Sequence, residues 1–136
     1  ISKALPAANI AKLLAKGMAL CSDAELNEGE TESTGEPTEV ALVNFAFGEE
    51  LPKYALKQSY PRIGEAPFDS TRKMMSTVHN ENGNIIGYTK GACEILLSHC
   101  TGIFRNGEIL TLTEEIKQEM ALQQQAAIEQ QVQQKQ

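Results

Sequence analysis

The sequence predicts an α/β fold, a twisted and mainly antiparallel sheet flanked by helices. Three observations carry that expectation. Two apolar stretches with helical character open the chain; two β-prone runs face each other across the polar, glycine-containing segment Asn80 to Asn84; and a second pair of short β-prone runs flanks Asn106-Gly107. A length of 136 residues suits one domain around one core.

From Pro6 to Cys21 the residues Ile10, Leu13, Leu14, Gly17, Met18 and Cys21 recur at helical spacing while Lys12 and Lys16 fall on the other side. That predicts an amphipathic helix packed on a core through the apolar stripe. Glu25 to Thr34 is acidic, contains Gly29 and lacks apolar periodicity, as an exposed loop would. Pro37 suits a first helical turn, where its missing N–H would have no partner, and a strongly buried helix is expected through Val40, Val43 and Phe47 to about Gly48. Leu51 to Gln58 reads as a short helix or an irregular segment before the chain extends through Tyr60, Arg62 and Ile63.

Met74 to His79 and Ile85 to Thr89 are β-prone and form an antiparallel hairpin in the simplest arrangement. Gly91 ends the second strand, and Glu94 to His99 reads as a short helix. Asn106-Gly107 signals another hairpin between Ile103-Phe104 and Ile109-Leu110, because both central residues of its tight turn take positive φ. Thr113 caps a last helix whose Glu114 and Glu115 suit a helix N-terminus. That helix runs into Gln123-Gln124-Gln125 and a glutamine-rich end with only Ile128 and Val132 as large apolar residues, so it has little with which to dock.

A formal net charge of −6 argues against a nucleic-acid partner. No apolar run approaches the ~20 residues that cross a bilayer, and no leader pattern precedes a cleavage site, so no direct membrane contact is expected of this piece. Cys21, Cys93 and Cys100 are odd in number and fit no common zinc spacing, which favours reduced cytosolic thiols. His99-Cys100 has no second pair nearby and adjacent helical residues diverge, so no metal site is expected.

Five blocks carry chemistry: Leu20-Cys21-Ser22-Asp23-Ala24, Gly35-Glu36-Pro37-Thr38-Glu39, Pro67-Phe68-Asp69-Ser70, Arg72-Lys73-Met74-Met75-Ser76 and Lys90-Gly91-Ala92-Cys93-Glu94. In this order and spacing they resemble the nucleotide-binding (N) domain of type II P-type cation-transporting ATPases, and look most like the calcium-pump branch. The resemblance covers residues 1–113; residues 114–136 form a Gln-rich C-terminal helix that departs from the family, lacking its returning Arg-Val-Leu segment and any phosphate contact from it.

The resemblance implies a domain that binds ATP, as Mg-ATP in the full pump, and positions it for transfer to an aspartate on a separate phosphorylation domain. Phe68 would stack on adenine, although on its own it reads as a core aromatic. Lys73 would lie against the nucleotide, although an isolated lysine here reads as a solvated strand residue. Lys90 would line the pocket floor, and Gly91, at a strand-to-helix junction, would give the base room. Glu39 would accept from the adenine amino group, stabilise its own helix dipole, or do both. Arg72 alternates away from Lys73 and reads as support for the domain or its partners.

Ser70 replaces an arginine of many relatives, and Cys93 replaces the usual proline. Thr34-Gly35-Glu36 spells the actuator-loop tripeptide, but its continuation assigns it to the N domain, so Glu36 is not read as catalytic. The phosphorylation motif Asp-Lys-Thr-Gly-Thr and a Walker-type loop are both absent, so no catalytic residue is assigned and the chain is not expected to act alone. Expected partners are the phosphorylation and actuator domains of a parent pump, on the cytosolic face of a membrane, with calcium as the implied ion. The alternative is a non-catalytic interaction module with a vestigial pocket.

Overall fold

The computed structural model describes residues 7–105 and 107–134. Its elements run α1 (Ala7–Leu20), α2 (Pro37–Gly48), α3 (Lys53–Ser59), β1 (Arg62–Asp69), β2 (Met74–Glu81), β3 (Asn84–Gly91), α4 (Cys93–His99), β4 (Gly102–Arg105), β5 (Glu108–Thr111) and α5 (Glu114–Gln134). The strands are antiparallel and fall into two sheets, β1-β2-β3 and β4-β5, so the expected α/β class holds with its strands divided.

Period-two alternation makes β2 the centre of the larger sheet. Met75, Thr77 and His79 are buried together on the face turned toward the helices, and cross-strand pairing puts Lys90, Tyr88 and Ile86 of β3 on that same face. His79 is satisfied there by the Tyr60 carbonyl and the Thr77 hydroxyl, each at 2.9 Å. Asn82 and Gly83 close the β2–β3 hairpin with φ of 56° and 90°, the pair of positive values that matches the strands' twist. In the second hairpin Gly107 has φ 81°; Asn106 lies outside the described residues, as do residues 1–6 and the side chains of Ile128 and Val132.

β1 is interrupted where proline demands it. Pro67 has no N–H for a ladder, and the β1–β2 register shifts between Ala66 and Asp69, so Pro67 and Phe68 occupy a bulge on an edge strand.

The helices differ from expectation in which residues they bury. On α1 the buried positions are Ala15, Ala19 and Leu20, while Leu14 of the expected stripe is 59% exposed. Alanines carry little weight in a periodicity reading, yet their small size lets α1 approach α2, and Ala15, Ala19, Leu20, Ala46 and Leu56 form one core cluster. Leu13, Leu14, Gly17 and Met18 instead line an open groove of ≈ 470 Å³ that also includes Lys90 and Gly91. Nor is α2 strongly buried: only Val43 and Ala46 are fully enclosed, and Phe45 and Phe47 are each 42% exposed. Ala46 joins the cluster with α1 and α3, and Val43 packs against Ala24 and Leu26, so α2 is enclosed on one side only.

Leu51 to Gln58 resolves into α3, and Thr113 caps α5 through a 3.3 Å hydrogen bond from the Ile116 N–H to its hydroxyl. No described helix is long and apolar enough to cross a membrane.

Candidate functional site

Local sequence chemistry sets Glu39 in place. Glu36 is the N-cap of α2, its carboxylate accepting from the Glu39 N–H at 3.2 Å, and Pro37 follows at the first helical position. Glu39 therefore leaves the first turn of α2 toward the end of β3, where its Oε2 accepts from Lys90 Nζ at 2.8 Å. The same oxygen accepts from the Asp23 backbone N–H at 3.0 Å. Burial alone would raise the Glu39 pKa, but the Lys90 hydrogen bond, the Asp23 amide and the Lys90 charge outweigh it and hold the carboxyl below its ordinary range.

Gly91 and Lys73 meet through backbone. A Cβ at Gly91 would overlap the Lys73 carbonyl oxygen and approach Met74 Cγ to 2.8 Å, and that same carbonyl accepts from the Ala92 N–H at 3.2 Å. The room that glycine makes is thus filled by Lys73 and Met74. Lys73 is not on a strand: it ends the turn between β1 and β2 in a left-handed conformation, φ 58°, with its N–H donating to the Asp69 carbonyl at 2.5 Å. The strand expectation failed because Asp69 nucleates a turn, its Oδ1 accepting from the Thr71 N–H at 2.7 Å. Arg72 supports the domain as expected, donating to the Ala66 and Met74 carbonyls at 3.2 and 2.9 Å.

Phe68 is 64% exposed in the β1 bulge. Asp69, Met74 and Gly91 form one rung across all three strands, so Phe68, Lys73, Lys90 and Gly91 gather at one end of the sheet with Glu39 docked on Lys90. With a strand spacing of about 4.8 Å, the edge strands β1 and β3 stand about 10 Å apart across β2. The fold brings Glu39 and Lys90 into contact and Gly91 against Lys73; Phe68 stands at the same end without touching the groove that Lys90 and Gly91 line. Chemically, this end offers an exposed ring, two ammonium groups and a carboxylate acceptor.

Sequence reasoning missed what holds the Ser22-Asp23-Ala24 loop. Lys53, 1% exposed, donates through Nζ to the Ser22 and Ala24 carbonyls at 2.6 and 2.5 Å. Arg62 donates to the Leu20 and Ser22 carbonyls at 3.1 and 2.8 Å and to Asp23 Oδ1 at 3.1 Å, capping the C-terminal end of α1. For Lys53 the available signal was its three-residue spacing from Leu56, the other buried residue of α3. Cys21 packs beneath, its thiol donating to the Met75 and Tyr88 carbonyls at 3.5 and 3.4 Å, and burial pushes its pKa up, away from nucleophilic use. Among the described residues no group of three or more His, Cys, Asp and Glu is placed to hold a metal ion.

A family model described as the P-type ATPase cytoplasmic domain N matches residues 10–132. The chain is 43% identical over 112 residues to calcium-transporting ATPase 1 of Bacillus cereus, a match covering 82% of this chain and 12% of that protein. It is 36% identical over 115 residues to calcium-transporting ATPase 1 of Lactococcus lactis, covering 85% and 13% respectively. The sodium/potassium-transporting ATPase subunit alpha-B of Artemia franciscana is 35% identical over 121 residues, 79% of this chain and 12% of that one. The chain therefore spans only about an eighth of the length of these relatives.

Proposed function

The chain belongs to the family of P-type ATPase cytoplasmic N domains, and on that premise we propose that it binds an adenine nucleotide at the Phe68 and Lys90 end of the three-stranded sheet. Phe68 offers its exposed ring to the base, a contact worth ~1–3 kcal/mol in comparable stacking. Glu39 accepts from the exocyclic amino group, Lys90 turns its ammonium toward the sugar and phosphates, and Lys73 brings a second cation from the β1–β2 turn. Gly91 keeps β3 and the turn close enough for both lysines to act on one ligand. The observation that carries this reading is the Glu39–Lys90 contact, made across 51 residues of sequence, at the sheet end where Phe68 is exposed.

In the parent pump this domain would hold Mg-ATP and set its γ-phosphate against an aspartate of the phosphorylation domain, so its contribution is proximity. Calcium transport is the proposed activity of that pump, on the strength of the calcium-transporting relatives from Bacillus cereus and Lactococcus lactis. A non-catalytic module with a vestigial pocket is the competing reading, favoured by Ser70 in place of an arginine of many relatives and by the lack of the returning Arg-Val-Leu segment.

Titration with ATP, ADP, AMP and GTP, followed by amide NMR, separates the two. Adenine nucleotides are expected to shift the Asp23, Phe68, Lys73 and Gly91 amides with Kd of ~0.1–10 mM, since a few contacts must offset the cost of association. Unmoved amides at 10 mM ATP, or tight GTP binding without an ATP response, would overturn the nucleotide reading.

A further inference from the structure

The Ser22 carbonyl and the Asp23 N–H belong to one planar trans peptide unit, so they point in opposite directions. On the carbonyl side stand two cations, Lys53 Nζ at 2.6 Å and Arg62 Nη2 at 2.8 Å. On the N–H side stands the Glu39 carboxylate at 3.0 Å, itself paired to Lys90 at 2.8 Å. Cations on the oxygen polarise the amide and strengthen its N–H as a donor, in a setting where hydrogen bonds in series reinforce each other.

We propose that Lys53 is a positioning residue for Glu39, acting through the Ser22–Asp23 peptide unit as an oriented dipole between the buried ammonium and the carboxylate. Lys53 is separated from Glu39 by the Ser22–Asp23 peptide unit alone; its second hydrogen bond, to the Ala24 carbonyl at 2.5 Å, ties down the chain just after Asp23 as well. Glu25 on the following segment, 3.8 Å away, is its nearest carboxylate, and Asp23, Arg62 and Lys57 are the other charged groups that act on it. Burial brings the Lys53 pKa down to about 8, with Glu25 opposing the shift, so the charge on this ammonium can be removed without mutation. The effect of the link on ligand affinity rests on the nucleotide reading above; the link itself does not.

The test reads Glu39 and Asp23 directly. In Lys53→Met the Glu39 side-chain carboxyl, followed by ¹³C NMR, is expected to titrate at higher pH than in the parent, and the Asp23 amide proton to move upfield; Lys53→Arg is expected to restore both in part. In the parent chain the Asp23 amide is expected to move with the Lys53 Nζ titration near pH 8, a readout that needs no variant to fold. Lys57→Gln, which removes an exposed partner of Glu25, is expected to leave Asp23 and Glu39 unmoved. ATP affinity in Lys53→Met is expected to fall about threefold, the scale of one weakened charge-assisted hydrogen bond. An Asp23 amide indifferent to Lys53 ionisation, or a Glu39 titration unchanged in folded Lys53→Met, overturns the positioning role. If the link holds while no nucleotide binds even the parent chain, the positioning of Glu39 stands and the pocket reading fails.

Discussion

The Lys90 ammonium donates to Glu39 Oε2 at 2.8 Å, joining the end of β3 to the first turn of α2 across 51 residues of sequence. Before any ligand arrives, each group satisfies the other. A ligand that uses both must therefore draw on a pair already oriented and partly desolvated, and removing either partner leaves its mate without its charge partner. Lys90→Ala is expected to weaken ATP about tenfold, with a smaller loss for AMP, and Glu39→Gln is expected to weaken both. The double variant should fall short of the product of the single losses, because groups in contact couple. Affinities by calorimetry for the four proteins complete the cycle; strictly multiplicative losses would mean the two residues act on the ligand independently and their contact is incidental.

Phe68 separates ligand binding from stability. The ring is 64% exposed in a bulge, so its removal takes little from the core. Phe68→Ala is expected to shift unfolding free energy by no more than about 0.5 kcal/mol. It should weaken ATP, ADP and AMP by similar factors of about ten, since all three share the base. Selective loss of ATP would place the ring against phosphates and refute stacking.

Gly91 is held by sterics instead of torsion. A methyl group there meets the Lys73 carbonyl oxygen and lies 2.8 Å from Met74 Cγ and 2.9 Å from Met74 Cα, and backbone atoms cannot swing aside as a flexible side chain does. Gly91→Ala is expected to cost about 1–3 kcal/mol through displacement of the β3 end from the turn. Urea unfolding measures the loss, and the Ala92 amide, which donates to the Lys73 carbonyl, should exchange faster with solvent. Parent-like stability would show that the sheet end yields easily, and that Gly91 does not set its spacing.

Much of the fold was readable because its signals are local. The β2–β3 hairpin follows from two β-prone runs and an Asn-Gly turn, and the start of α2 from Pro37. What escaped depends on partners distant in sequence. Ala15 and Ala19 became the buried face of α1 because α2 approaches closely there, a fact that the larger Leu13 and Leu14 obscured. Lys73 reads as a strand residue from sequence because the turn made by Asp69 is encoded in one carboxylate, not in a glycine. At the site, Glu39 and Lys90 each stand in a recognisable block, but their contact is tertiary and nothing in either block announces it. The burial of Lys53 is not legible in sequence, since a single lysine in a short helix has the appearance of a solvated one, and its burial is decided by the carbonyls of the loop after α1.

That burial makes Lys53 visible in the pH dependence of stability. In the unfolded chain its amine keeps the ordinary value of 10.5, whereas in the folded chain burial lowers it to about 8. Between these values the unfolded state binds more protons, so stability due to this group rises with pH from about 8 toward 10.5. Two other groups act in the opposite sense: burial raises the Cys21 thiol above 9.0 and the Tyr88 hydroxyl above 10.0, so their unfolded forms ionise first and stability falls as pH climbs past those values. Comparing the parent with Lys53→Met cancels the shared terms. The parent's unfolding free energy, measured by urea denaturation at intervals from pH 7 to 9.5, is expected to gain on that of the variant across pH 8 to 9.5, whichever protein is the more stable at pH 7. Parallel curves would mean that Lys53 titrates alike in both states, and that its ammonium is not desolvated against the Ser22 and Ala24 carbonyls.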